Sequence, residues 1–426
     1  MSNSEPPSRL MYDEIFLQNG NLNNLSNLNR KKYFQKKSVI YHLYSKGIMS
    51  NPELCRLTNM SSPSIQKLLN ELIDESLVKE EGFGTSIGGR RPSLYGLNPA
   101  SRYILAVNIS LNSVDVAIFN INNQLVGEIN VLSEPLANSP AFVEKVFDFC
   151  LIQLEKYQVG FEKILGLGIG IPGLTDPATG KSFSHLNYDD KTVREIFQEK
   201  FGIPVFVDND ARVMALGEVM FGKAQNKSNV LCLNIGAGIG LGMLLNGSLY
   251  IGNSGFAGEF GHIKVEENGQ LCICGKYGCL ETVASGDALI KMAKNEINCG
   301  KPTIMLQLVG NRLEEISCAV IAQAAHLGDQ LAISLLAVTG EYLGKGLSTL
   351  IHIFNPEAII IGGKMSPAGQ FIVDPILQTL NRFTILKIKN DTEISVSALR
   401  EKSAVMGAMA LTMNYIFDDV KFALSV

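Results

Sequence analysis

The 426-residue chain is 46% hydrophobic with a mean hydropathy of +0.15, enough for two or three domains with a buried core, which excludes a disordered protein. Its net charge of −4 argues against a nucleic-acid binder taken whole, although a small basic module fits inside an acidic average. No apolar run reaches transmembrane length and the N-terminus lacks a basic-then-apolar leader, so the expected setting is cytoplasmic, with no membrane partner.

Residues 1–29 are polar and Asn-rich and are expected to form a flexible arm, with one short helix near residues 12–17. From residue 30 to 100 the character changes. Arg30, Lys31, Lys32, Lys36, Lys37 and Lys46 come without an acidic residue among them. Apolar spacing predicts helices over 33–45, from Pro52 to about Leu57, and from Ser62 onward; Ser50 or Asn51, and then Ser61, supply caps before each proline. Two short strands around Gly88-Gly89-Arg90-Arg91-Pro92 follow as a wing. This is the order of a winged helix-turn-helix, with double-stranded operator DNA as its expected partner. Ser62, Ser64, Gln66 and Lys67 would face the major groove, and Arg90 and Arg91 would enter the minor groove.

A different architecture begins near residue 103. Strands are expected over 103–109, 113–119 and 124–131, a helix over 140–157, a buried Gly-rich strand over 164–171, a helix over 192–200, a strand over 205–208 and a helix from Ala211 to Met220. The order then restarts. Strands over 229–235, 240–245 and 248–251 precede helices over 287–297, 314–327 and 330–354, a strand over 358–363 and a last helix over 403–417. Two such blocks in tandem predict two α/β lobes with a cleft between them: one over 103–222, completed by the helix 403–417, and one over 223–401.

Chemistry is expected at two places. Asp208-Asn209-Asp210 lies where a strand meets a helix, beyond which such sheets bind ligands; Asn209 and Asp210 could engage a hydroxyl or simply cap the helix. His262, Cys272, Cys274 and Cys279 form a compact Cys3His set. Four protein ligands leave no open position, which points to one structural Zn²⁺ per chain within the loop 259–281 and not to a hydrolytic metal. The loop would fix Glu259 and Glu281 as acceptors for a polyol. The other cysteines, Cys55, Cys150, Cys232, Cys299 and Cys318, have no pairing spacing and are expected as free thiols.

Asn209-Asp210-Ala211, Gly236-Ala-Gly-Ile-Gly-Leu-Gly242, Ala257-Gly-Glu-Phe-Gly-His262 and Cys272-x-Cys-Gly-x-x-Gly-Cys-x-Glu281 together resemble the ROK family of repressors and sugar kinases, over about residues 103–415. The N-terminal module is similar to that of its repressor branch, which contains xylose and N-acetylglucosamine repressors. The resemblance implies an actin-like, ribonuclease H-like sugar-kinase fold and zinc on His262, Cys272, Cys274 and Cys279. It also implies sugar contacts from Asn209, Asp210, Glu259, His262 and Glu281, with Asp210 matching the kinases' catalytic base. It further implies a sugar or sugar phosphate as effector and, with the two-fold logic of such DNA readers, a homodimer or homotetramer.

The chain departs from the kinases at their phosphate-binding turn Asp-x-Gly-Gly-Thr, where it reads Asn108-Ile-Ser-Leu-Asn112. Its second turn, Gly236-Ala237-Gly238, lacks the family's hydroxyl, and His185-Leu186 stands where Asn-Leu is common. Phosphates need open backbone N–H groups and a carboxylate for Mg²⁺. The expectation is therefore a non-enzymatic, sugar-responsive regulator, a repressor by its branch; the alternative is a hexose kinase with an appended DNA-binding module.

Overall fold

A computed structural model describes residues 26–85 and 91–418. The expected helix near residue 12, and Arg90 at the glycine-rich tip, lie outside these residues. The first unit contains α1 (Asn27–Lys46), β1 (Met49–Ser50), α2 (Asn51–Thr58), α3 (Ser62–Asp74), β2 (Val78–Phe83) and β3 (Ser93–Leu97). Helix α1 starts earlier than its periodicity suggests because Ser26 caps it, so residues 27–29 of the expected flexible arm are helical. Gly47 stops it at φ +81°. At α2 the Glu53 carboxylate accepts both the backbone N–H (2.8 Å) and the hydroxyl (2.6 Å) of Ser50. Ile65, Leu68, Leu69 and Leu72 bury the inner face of α3, and β1, β3 and β2 form one small antiparallel sheet.

The basic run at the start of this unit is not the open cationic surface that its composition suggests. Lys36 is buried and pairs with Glu71 (3.1 Å) and Glu75 (2.5 Å), while Lys32 pairs with Glu71 (2.7 Å). Lys37 is buried as well. Acidic residues more than thirty positions downstream, on α3, neutralise charges that looked unopposed in sequence.

Two five-stranded sheets follow. The first is built from β4 (Tyr103–Ile109), β5 (Val114–Asn120), β6 (Leu125–Leu132), β7 (Ile164–Ile171) and β10 (Val205–Asn209), with a small hairpin of β8 (Thr175–Asp176) and β9 (Lys181–Ser182) between the last two. Its helices are α4 (Pro140–Lys156), α5 (Val193–Phe201) and α6 (Asp210–Phe221). The second sheet contains β11 (Val230–Ile235), β12 (Ile239–Leu245), β13 (Ser248–Leu249), β14 (Ala358–Gly362) and β15 (Glu393–Val396). Around it lie α7 (Glu281–Ala284), α8 (Gly286–Asn298), α9 (Met305–Leu308), α10 (Cys318–His326), α11 (Gln330–Phe354), α12 (Gln370–Phe383) and α13 (Leu386–Asn390). The strand orders are β10-β7-β4-β5-β6 and β13-β12-β11-β14-β15. Each sheet has three successive antiparallel strands and two parallel ones added beside the first, so the two halves share one topology.

The expected helix 314–327 is broken: Leu313–Glu315 is a single tight turn, and Ser317 caps a new helix that begins at Cys318. The third strand of the second sheet is shorter than expected, and α12, α13 and β15 occupy a stretch the periodicity left unassigned. The last helix, α14 (Ser403–Ile416), returns to the first sheet and packs on β7 and β4. Glycines allow this close approach: a Cβ on Gly168 would lie 1.9 Å from the carbonyl oxygen of Ala408.

Candidate functional site: a carboxylate-lined cleft beside a Cys3His set

Four ligand atoms of His262, Cys272, Cys274 and Cys279 lie within 4.8 Å of one another. The Sγ atoms of Cys274 and Cys279 are 3.6 Å apart, and Cys272 Sγ is 3.5 Å from His262 Nδ1. A tetrahedron with Zn–S bonds of about 2.3 Å has S–S edges of about 3.8 Å, so the four atoms fit such an ion. Tight turns create this closeness. Gly275 and Gly278 adopt φ of +82° and +77°, and the carbonyl of Cys272 accepts the N–H of Gly275 at 2.9 Å. The remaining ring nitrogen, His262 Nε2, faces Glu259 at 3.8 Å. The loop therefore turns one imidazole edge toward the three cysteines and the other toward a carboxylate.

The other expected ligand residues gather on the same side, and several already hold the protein together. Asn209 Oδ1 accepts the N–H groups of Ala211 (3.0 Å) and Arg212 (3.3 Å), and its Nδ2 donates to the carbonyl of Gly173 at 3.1 Å. It is thus the cap of α6. Asp210 accepts Asn234 Nδ2 at 2.9 Å, which ties the first helix after the first sheet to the first strand of the second. Burial pushes its carboxyl up to about 6. Burial also raises Glu259, with His262 and Arg212 opposing the shift. Glu281 Oε2 accepts the N–H of Ile239 at 3.0 Å, at the turn between β11 and β12. A Cβ on Gly238 would lie 2.3 Å from that same oxygen, so a side chain there would displace the carboxylate from this position.

Arg212, to which the sequence drew no attention, lies beneath this cluster. It is 2% exposed. Its Nε donates to Asp208 Oδ1 at 2.7 Å, Nη1 to the carbonyl of Gly255 at 2.6 Å and Nη2 to the carbonyl of Thr175 at 2.8 Å. Gly255 belongs to the loop after β13 and Thr175 to β8, so one guanidinium fastens segments of both lobes. Phe183 and Phe256 meet edge to face across the same junction, with centroids 5.3 Å apart. A single cation in α6, four residues after Asp208, was the available signal.

At the other end of the cleft, the turn between β4 and β5 closes on itself, the N–H of Ser110 donating to the carbonyl of Ser113 at 2.8 Å. Leu111 is exposed there. Asn108 Nδ2 donates to Asp115 Oδ2 at 3.2 Å, and burial raises the Asp115 carboxyl. The second glycine turn is engaged too: Gly236 N–H donates to the carbonyl of Gly238 (3.0 Å), and Glu281 accepts the N–H of Ile239. Backbone donors that could cradle phosphate are in part consumed internally.

In the first unit, Ser62, Ser64 and Lys67 are exposed on α3, Gln66 is half-buried, and Arg91 is exposed before β3. Ser64 shares a hydrogen bond with Ser61 at 2.8 Å.

A two-lobed chain with duplicated five-stranded sheets and a Cys3His loop beside the cleft matches one family. The profile described as "ROK family" matches residues 105–414, and the chain belongs to that family. Among individual relatives it is 30% identical over 400 residues to the xylose repressor of Caldicellulosiruptor bescii, covering 92% of this chain and 98% of the relative. It is 27% identical over 391 residues to the DNA-binding transcriptional dual regulator NagC of Escherichia coli, covering 90% and 93%. Of solved structures, a ROK family transcriptional regulator described as a homolog of the E. coli MLC protein aligns with a TM-score of 0.74 at 27% identity, over 92% of this chain and 98% of that one. A ROK family glucokinase from Streptomyces griseus, in complex with glucose and AMPPNP, aligns with a TM-score of 0.65 at 28% identity, over 72% of this chain and 98% of its own.

Proposed function

We propose that this protein is a sugar-responsive transcriptional repressor of carbohydrate-utilisation genes. The carrying observation is the union, in one chain, of a three-helix unit with a winged sheet and a ROK core. Relatives named as xylose repressors span more than nine-tenths of the chain. The DNA partner is a duplex operator, contacted from the first turns of α3 and, through Arg90 and Arg91, beside the wing. The effector is a sugar or sugar phosphate, held by Asn209, Asp210, Glu259, His262 and Glu281. A structural Zn²⁺ on His262, Cys272, Cys274 and Cys279 would hold the loop that presents Glu259 and Glu281. A homodimer or homotetramer fits the two-fold symmetry of operators. An electrophoretic mobility shift with DNA from neighbouring sugar-utilisation genes, repeated with D-xylose, D-glucose, N-acetylglucosamine and their phosphates, tests the reading. A complex that forms and responds to one of them is expected; no complex with any such DNA refutes it.

A packed route supports communication between cleft and DNA-binding unit. Helix α6 begins at Asp210 and presses on α14, where a Cβ on Gly407 would lie 1.7 Å from the carbonyl oxygen of Val213. Beyond the end of α14, Phe417 packs against Tyr41 and Tyr44 of α1, with centroids 5.4 and 5.1 Å away. A sugar acts through this route only to the extent that it binds the two states unequally.

A second reading, a hexose kinase, is favoured by one observation: Asp210, raised to about 6, suits a general base near neutral pH. Against it stand Asn108 in place of the Mg²⁺-side acid and the self-closed turn at Ser110. No ATP-dependent phosphorylation across a hexose panel with Mg²⁺ is expected. Turnover abolished by Asp210→Ala would establish the kinase instead.

A further inference from the structure

The helix assigned to the major groove carries polar side chains at every fourth position, Ser62, Gln66 and Asn70, which therefore follow one another along its surface. Gln66 is half-buried at the edge of the apolar face, while Asn70 and Lys67 are exposed. These residues are not independent. Asn51, buried at the start of α2, donates from Nδ2 to Gln66 Oε1 at 3.1 Å and to the carbonyl of Ser62 at 3.3 Å. Its Oδ1 accepts the Ser62 hydroxyl at 3.0 Å and the Cys55 thiol at 3.2 Å. Gln66 Nε2 in turn donates to Asn70 Oδ1 at 3.0 Å and to Tyr95 Oη, on β3 of the wing, at 3.3 Å.

A primary amide has two N–H donors. Both donors of Gln66 are spent, on Asn70 and on Tyr95, and its oxygen already accepts from Asn51. Gln66 therefore has no donor left for a base unless it breaks a bond inside the protein. Asn70 is in the opposite condition. Its oxygen is turned inward to Gln66, so its exposed Nδ2 is what the side chain offers outward. The usual side-by-side pairing of an amide with adenine needs oxygen and nitrogen presented together. An amide that presents donors alone suits the edge with two adjacent acceptors, guanine N7 and O6.

We propose that Asn70 is a specificity-determining residue of the DNA-binding helix, reading a guanine as a donor, and that Gln66, Asn51 and Tyr95 are positioning residues that hold it in that orientation. This rests on the DNA-binding reading above. It moves base readout away from Gln66, where the sequence alone put it, and gives the wing a role in specificity through the Tyr95 hydroxyl.

The test is selection of binding sites from a randomised duplex pool by the full-length protein, run in parallel for the wild type, Asn70→Ala, Asn70→Asp, Gln66→Ala and Tyr95→Phe. Wild type should enrich a motif with a guanine at one position of each half-site. Asn70→Ala should flatten that position, with a loss of about tenfold in discrimination there. Asn70→Asp should move its preference toward cytosine, whose amino group a carboxylate accepts. Gln66→Ala and Tyr95→Phe should blur the same position and no other, and Tyr95→Phe should leave non-specific affinity and its salt slope unchanged, which damage to the fold would not do. An unaltered motif with Asn70→Ala, or Gln66→Ala erasing a position different from that of Asn70, overturns the proposal while DNA binding stands. No enriched motif with the wild type overturns the DNA-binding reading itself, and the proposal with it.

Discussion

Replacing Arg212 with methionine keeps the apolar stem of the side chain and removes three hydrogen bonds, of which the one to Gly255 joins the two lobes. Asp208 would be left buried and unpaired, and the carbonyls of Gly255 and Thr175 would lose their donor. Breaking a buried ion pair by removing one partner costs about 3–5 kcal/mol. Each carbonyl stranded without a donor adds about 1–3 kcal/mol, less where water enters the opened junction. Domains generally have only about 5–15 kcal/mol in total, so the variant should stand near the edge of stability. Burial already raises the Asp208 carboxyl, with Arg212 opposing the shift, and removing that cation pushes it higher. A raised folded-state value contributes stability below the unfolded value, which is lost as pH rises through the folded one. The defect should therefore be smaller at pH 5 than at pH 8. Asp208→Asn in the same chain should restore part of the loss by removing the stranded charge, but not the carbonyl contribution. The assay is urea denaturation followed by circular dichroism, since the chain contains no tryptophan. An Arg212→Met midpoint shift worth less than about 0.5 kcal/mol, the range of ordinary surface changes, would refute the clamp.

Other outcomes follow from the same geometry. Sugar hydroxyls donate best to an ionised carboxylate, so effector affinity measured by calorimetry should weaken as pH falls through about 6, and Asp210→Asn should abolish that dependence. For stability the sign is opposite: the raised Asp210 carboxyl stabilises below its ordinary 3.8, and that contribution fades as pH rises through about 6. Elemental analysis should find one zinc per chain, reduced by Cys274→Ser; chelation should expose the loop 259–281 to protease and weaken sugar binding together. Phe417→Ala should lower the sugar response in a mobility shift by several-fold, while binding of sugar measured alone changes little, because Tyr41 and Tyr44 lose their partner on the core.

Local patterns were legible where the causes are local. Prolines and caps placed the starts of α2 and α3, alternation and glycine placed the first sheet and all of the second but β15, and the spacing of one histidine and three cysteines marked a cluster whose atoms do converge. What escaped depends on partners far away in the chain. Arg212 binds carbonyls at residues 175 and 255. Glu281 fills a turn more than forty residues before it, and the lysines of α1 find Glu71 on α3. The bonds of Gln66 to Asn51 and Tyr95 are likewise invisible to helical spacing. In each case the missing information is a polar group satisfied by tertiary contact, which hydrophobic periodicity cannot report.

Two kinds of contact divide the labour between stiffness and choice. Along α6 and α14 the helices touch backbone to side-chain position with no room for a methyl group at Gly407 or at Gly217, whose Cβ would lie 2.2 Å from the carbonyl oxygen of Ser403. Such a contact cannot slide without separating the helices, so displacement at Asp210 is carried to Phe417 with little loss. The cleft junction is different. There the Arg212 bond to Gly255, the Asn234 bond to Asp210 and the Phe183–Phe256 pair cross between the lobes through side-chain tips, with no comparable backbone interlock. A sugar moves a distant helix through such a junction only by binding two arrangements of it unequally. The direction of the response then depends on which arrangement of that junction the sugar favours and on which arrangement binds DNA.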